Sequence, residues 1–188
     1  ANEERVVADF VSKYSNQGHF IGFTALETFI DSITEPRKIF MMLKAGQALE
    51  EVINKISPFL KEGDILIDGG NSHYIDTEKR VQKLRKHGIG FIGCGVSGGT
   101  DGALNGPCLM PGGEENSWLY VKDIFQSIAA KDAEGNFCCE WIGPGGSGHF
   151  VKMVHNGIEY SLMQIIAETY DFLIKVVLMS NQEVLSVF

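Results

Sequence analysis

Lys152, His155, Asn156 and Glu159 stand at i, i+3, i+4 and i+7 within the segment GHFVKMVHNGIEY, Gly148 to Tyr160. On an α-helix that spacing forms one narrow stripe. An amine and a carboxylic acid on one stripe are two groups able to move protons, and the His and Asn between them offer hydrogen bonds to a polar ligand. Desolvation disfavours an ammonium ion, so a lysine in a sheltered cleft is suited to accepting a proton. The pair fits chemistry in which one proton leaves a hydroxyl and another reaches carbon. The bland alternative is a solvated face with a Lys–Glu pair. Against it, Phe150, Val151, Met153, Val154, Ile158, Met163, Ile165 and Ile166 make most other directions apolar. A helix apolar nearly all round is buried, which predicts a stripe facing a cleft or a polar partner. Gly157 costs about 1 kcal/mol relative to Ala inside a helix, which predicts a close neighbour there. No metal site is expected, because His149 and His155 are six apart and fall on different faces.

The elements that must hold this stripe are legible from period and punctuation. Val6, Val7, Phe10, Val11 and Tyr14 recur at helical spacing before Asn16-Gln17-Gly18. Arg37–Leu43 reads as a buried strand, Leu49 to Ile56 as a helix ending near Pro58, and Asp64–Asp68 as a second strand stopped by Gly69-Gly70. Val81 and Leu84 lie among charged residues in a solvated helix closed by Gly88, and Ile89–Ile92 reads as strand. Gly93 to Gly113 reads as irregular. A helix is expected at 118–128, a strand at 138–142, and a long helix from about 150 to 177. Strands alternating with helices predict an α/β domain with a Rossmann-like, mainly parallel sheet. Its first β-α-β unit is missing, and the last helix begins an all-α domain. The boundary expected from this pattern divides residues 1–143 from 144–188.

The pattern G-x-G-x-x-G occurs twice, at Gly93/Gly95/Gly98 and at Gly143/Gly145/Gly148. A dinucleotide fingerprint needs a strand before it, a helix after it and an acidic residue about 20 positions on at the end of the next strand. The first match runs into more glycine and then Gly106-Pro107, leaving little room for a helix. Twenty residues past the second lies Glu168, inside the same helix. Neither reads as the pyrophosphate loop.

Composition narrows the function classes. The 188 residues are 44% hydrophobic and 21% charged, which is globular. With 16 basic against 24 acidic residues, the net charge of −8 and the lack of a Lys/Arg stripe argue against nucleic acid or an anionic membrane as partner. No apolar run approaches the roughly 20 residues of a membrane span. The chain opens on Ala1-Asn2-Glu3-Glu4-Arg5, without an initiator Met or the layout of a secretion signal, and reads as the middle piece of a longer protein. Cys94, Cys108, Cys138 and Cys139 include no C-x-x-C and are expected to be reduced, buried thiols in a cytoplasmic protein.

Four motifs in order, IDGGNS at Ile67–Ser72, GVSGG at Gly95–Gly99, GPCLMPGG at Gly106–Gly113 and GSGHFVKMVHNGIEY at Gly146–Tyr160, resemble the 6-phosphogluconate dehydrogenase family. The resemblance runs through nearly the whole chain. It implies an NADP-linked oxidative decarboxylation of 6-phosphogluconate to ribulose 5-phosphate and CO2, in the pentose phosphate pathway. Lys152 is then the general base for the C3 hydroxyl and Glu159 the acid that protonates C1. Asn71, Ser97, Gly98, Gly99, His155 and Asn156 hold the sugar acid, and Tyr160 reaches its phosphate. Lys44, Ala45 and Asn71 border the cofactor NADP. The complete protein is implied to be a cytoplasmic homodimer. Leu104 and Asn105 depart from the family's usual Arg and aromatic residue, Cys108 replaces its usual Ser, and Ser161-Leu162 replaces Gly-Asp. Two other readings stand beside this one: a non-catalytic remnant that binds sugar phosphate or a partner, and a related β-hydroxyacid dehydrogenase.

Overall fold

The computed structural model describes residues 3–188. The chain runs α1 (Glu3–Tyr14), α2 (Leu26–Asp31), β1 (Lys38–Met41), α3 (Gln47–Ile56) with a 3₁₀ turn at Ser57–Phe59, β2 (Ile65–Asp68) and α4 (Tyr74–Arg85). It continues through β3 (Gly90–Ser97), α5 (Gly99–Asn105), β4 (Cys108–Gly113), α6 (Glu115–Ile128), α7 (Ser147–Lys175) and α8 (Asn181–Leu185). One four-stranded sheet has the order β1-β2-β3-β4. The first three strands are parallel and β4 is antiparallel to β3, with Ser97 opposite Cys108 and Gly93 opposite Gly112. The expected α/β architecture with a mainly parallel sheet is present.

Alternation along the strands sorts side chains onto two faces. Leu66 and Phe91 join Leu49, Ile53, Val81 and Leu84 beneath α3 and α4. Ile65, Ile67, Ile92, Cys94 and Leu109 join Trp118, Val121 and Phe125 beneath α6. Burial on both faces is what a largely parallel sheet requires, and it explains the continuous apolar run in β2, whereas the edge strand β1 leaves Phe40 exposed.

Several expectations fail here. The stretch 93–113 is not irregular: it contains the second half of β3, a helix α5 where little room was foreseen, and β4. The sequence of β4, CLMPGG, has little strand propensity, and its glycines serve the close approach of α7 instead. Residues 138–142 form no strand, only isolated bridges from Leu109 to Cys139 and from Gly112 to Gly143. Helix α4 is less solvated than its charges suggest, since Thr77 and Arg80 are buried with Val81 and Leu84. Cys108 and Cys138 are only half-buried.

The largest correction concerns α7. Only Gly148, His149 and Lys152 of its 29 residues are buried, while Phe150, Val154, Ile158, Met163 and Ile166 are exposed. Its first two turns press on β3, β4 and α4, and α8 packs against its far end, where Leu173 and Ile174 are half-buried and Val184 is buried; between these ends the apolar side chains named above are exposed. Gly157 likewise has no neighbour within 4 Å of where a Cβ would stand, so the expected close packing there is absent.

Candidate active site

The start of α7 crosses the sheet at very short range because both surfaces are stripped of side chains. A Cβ at Gly93 would stand 2.8 Å from the His149 Nδ1, and one at Gly95 would stand 2.5 Å from the Lys152 Cβ. From the helix side, a Cβ on Gly148 would meet the carbonyls of Met110 and Gly93 and the Gly112 nitrogen. Three glycines of the two G-x-G-x-x-G patterns are thereby accounted for. Gly93/Gly95 and Gly148 are the two halves of one helix-on-sheet contact. A third support comes from α4: Glu78 accepts a hydrogen bond from the Gly146 N–H at 3.1 Å, and Tyr74 meets Phe150 edge-on with ring centroids 5.1 Å apart. The Glu78 carboxylate also complements the positive end of the α7 dipole.

This contact delivers Lys152 to the carboxyl end of β3. The residue is only 9% exposed. Its Nζ donates to the Ser97 Oγ at 3.1 Å and to the Asn156 Oδ1 at 2.8 Å. Asn156 lies one turn further along the same stripe, as the spacing predicts. A cavity of about 230 Å³ opens beside them, lined by Asn71, Ser72, His149, Lys152 and Asn156 among others. It sits at the carboxyl ends of parallel strands, where α/β sheets take their ligands.

The loop that carries Asn71 is held from below by charge. Asp68, fully buried, accepts from the Gly70 N–H at 3.0 Å and from the Ser72 hydroxyl. The buried Arg80 guanidinium approaches Asp68 at 3.5 Å and bonds Glu50 at 2.6 Å. The string IDGGNS is therefore a turn wired by its own Asp. Gly70 brings this turn against the preceding one, since a Cβ there would stand 2.6 Å from the Leu43 carbonyl. Lys44, exposed, and Ala45, half-buried, follow directly. The two turns make a narrow cradle at the ends of β1 and β2 that a side chain at Gly70 would fill.

The sequence weighs His149 only as a metal ligand and argues against that role, yet the residue lies at the base of this cavity. Its Nδ1 is 2.7 Å from the Thr77 hydroxyl, and the ring faces the backbone carbonyls of Gly70 and Asp68. Its Nε2 is buried without a well-formed hydrogen bond among the described residues. Burial holds the imidazole below its ordinary value of 6.5; Asp68 opposes this and the Arg80 charge reinforces it. The signal available for it was the small-residue run Gly145-Gly146-Ser147-Gly148 immediately before.

Not every expected residue meets at this point. His155 and Glu159 lie further up α7, half-exposed, with Nδ1 3.6 Å from the carboxylate, and His155 is 3.3 Å from the Asn156 Oδ1. Tyr160 is 68% exposed. Gly98 and Gly99 are exposed at the turn from β3 into α5. Both have positive φ, at 128° and 57°, conformations open chiefly to glycine. No group of three or more potential metal ligands occurs among the described residues, and no helix there is long and apolar enough to cross a membrane.

Comparison with known proteins shows the family. Residues 2–143 match the family model for the NAD binding domain of 6-phosphogluconate dehydrogenase, and residues 148–188 match that for its C-terminal domain. The decarboxylating 6-phosphogluconate dehydrogenase 1 of Saccharomyces cerevisiae is 50% identical over 182 residues, covering 97% of this chain and 37% of the yeast protein. The Chlamydia muridarum enzyme is 54% identical over 165 residues, 88% of this chain and 34% of its own length. Among solved structures, Plasmodium falciparum 6-phosphogluconate dehydrogenase, studied apo and with NADP+ or 6-phosphogluconate, superposes with a TM-score of 0.86. It is 37% identical, over 94% of this chain and 38% of that one. A 3-hydroxyisobutyrate dehydrogenase from Mycobacterium tuberculosis, 21% identical with a TM-score of 0.72, shares the fold over 88% of this chain and 53% of its own. The chain spans little more than a third of the length of the curated relatives it matches. On the strength of the matched family models, the long identities and the shared fold, this chain belongs to the 6-phosphogluconate dehydrogenase family.

Proposed function

We propose that this chain supplies the proton-transfer lysine and much of the sugar-acid pocket for the NADP-linked oxidative decarboxylation of 6-phosphogluconate to ribulose 5-phosphate and CO2. The observation that carries the reading is the Lys152 amine, buried at the mouth of the cavity and held by Ser97 and Asn156. An amine so fixed needs no reorganisation to receive a proton from a hydroxyl placed in the cavity. NADP, when bound, supplies the hydride acceptor, and the cradle of Lys44, Ala45 and Asn71 is the part of this chain that fits beside it. Lys152 takes the C3 hydroxyl proton as C3 is oxidised, and its ammonium then stabilises the charge that develops on that oxygen as the C1–C2 bond breaks to release CO2. Glu159 delivers a proton to C1 of the enediol. Asn71, Ser97, Gly98, Gly99, His155 and Asn156 bind the sugar acid, with Tyr160 at its phosphate.

The division at 143/144 is part of the same reading: an incomplete dinucleotide-binding unit, then the beginning of a helical one. Its support is the departure of α7 from the sheet. The exposed apolar sides of that helix also support a homodimeric complete protein, placed in the cytoplasm.

NADPH formation from 6-phosphogluconate by the full-length protein tests the roles. Lys152→Ala and Glu159→Gln are each expected to lower kcat by about 10²- to 10⁴-fold, the usual worth of a positioned acid or base. Near-normal turnover in both overturns the assignment.

A further inference from the structure

The segment after α6 returns along the outer side of β4. Leu109 and Cys139 form a parallel bridge, and the Leu109 N–H donates to the Cys138 carbonyl at 2.9 Å. Extending that register back by one residue sets Cys108 opposite Cys138, for which strand geometry gives a spacing of about 4.8 Å, and Cys138 is near enough to act on the Cys108 thiol. Leu109 and Cys139 point into the core beneath α6. By alternation, Cys108 and Cys138 both turn to the other side, toward α7. They are half-buried, whereas Cys94 and Cys139 are buried. Cys108 is also the cross-strand partner of Ser97, the residue that holds the Lys152 amine. Nothing in the reaction above uses either thiol.

We propose that Cys108 and Cys138 are a redox-modifiable thiol pair that closes to a disulfide by exchange with a small disulfide of the glutathione type. One protein thiolate attacks a sulfur of glutathione disulfide, forming a mixed disulfide and expelling one glutathione thiolate. The second protein thiolate attacks the protein sulfur of that mixed disulfide, forming the Cys108–Cys138 bond and expelling the second glutathione. The two cysteines are oxidised, the glutathione disulfide is reduced, and the two thiol hydrogens finish on the two glutathiones released. The strand spacing falls within the range of about 4.4–6.8 Å that a disulfide bridges between Cα atoms. Burial and the neighbouring Cys138 both push the Cys108 thiol up, while the Lys152 charge pulls it down. With less thiolate at neutral pH, the exchange is expected to quicken as pH rises from about 7 to 9.

The chain itself serves for the test, incubated with glutathione disulfide at alkaline pH and read by intact mass and peptide mapping. The expected product has lost two hydrogens and carries a cross-link between peptides containing residues 108 and 138, reversed by dithiothreitol. Cys108→Ser and Cys138→Ser should each abolish that loss and leave one glutathione adduct on the remaining partner. The proposal is overturned by glutathione adducts on both cysteines without closure, by no reaction, or by a bond involving Cys139 or Cys94. None of these outcomes depends on the reaction assigned to Lys152.

Discussion

The closeness of α7 to the sheet can be probed by making one change, Gly to Ala, at two places on the helix. At Gly148 the added methyl would meet the Met110 and Gly93 carbonyls and come within 2.6 Å of the Gly112 nitrogen. All three are backbone atoms of paired strands, so none can swing aside as a side-chain tip would. Overpacking of this kind costs about 1–3 kcal/mol, and the immobility of the neighbours places Gly148→Ala toward the upper part of that range. At Gly157 the methyl meets nothing within 4 Å. There the helix-propensity gain of about 1 kcal/mol acts alone. For a chain of this size each kcal/mol moves the melting temperature by about 2–4 °C. Gly148→Ala should therefore melt roughly 4–12 °C below the parent and Gly157→Ala about 2–4 °C above it, followed by circular dichroism at 222 nm. The reasoning is refuted if Gly148→Ala melts with the parent or above it, because the helix would then not be seated as closely as the glycines indicate.

Three further outcomes follow from buried polar groups. Asp64, 1% exposed in its side chain, receives the Arg37 guanidinium at 3.0 Å and backbone N–H groups of Arg37 and Lys61. Asp64→Ala should cost about 3–5 kcal/mol in urea unfolding, as for any broken buried pair; a loss under about 1 kcal/mol would show that Glu35, 3.1 Å from the same guanidinium, takes over. Because His149 is held below 6.5 in the fold, its neutral form contributes stability in full above pH 6.5, and that contribution is lost as pH falls through the lowered folded value. His149→Gln should flatten this acid-side decline, and an unchanged slope would place its cause elsewhere. Thr77→Val deprives the His149 Nδ1 of its 2.7 Å partner and should destabilise by about 1–3 kcal/mol; a neutral result would show that the contact carries no weight.

What could be read from residues alone was local and periodic. The stripe from Lys152 to Asn156 was legible because i, i+4 spacing on a helix is geometry, and the two meet at 2.8 Å. Strand β2 was legible because double burial leaves an unbroken apolar run, and the edge strand β1 because its residues are apolar even where Phe40 stays exposed. Strand β4 was not, since its form is imposed by its neighbours: Met110 and Gly112 lie under α7, and the strand keeps small residues for that reason. The burial of α7 was misjudged because an apolar surface shows what could be covered without showing what covers it. His149 and Thr77 escaped notice because they are 72 residues apart and gain their meaning only when α4 and α7 touch.

The manner in which α7 is held has a mechanical corollary. A rod of 29 residues, about 43 Å long at 1.5 Å per residue, is clamped at one end. A tilt of about 5° about that clamp would carry its far tip by about 4 Å but Lys152, roughly 8 Å from the fulcrum, by well under 1 Å. The amine sits where the lever hardly moves. Whatever loads the distal arm can swing it while the lysine keeps its place over the strands.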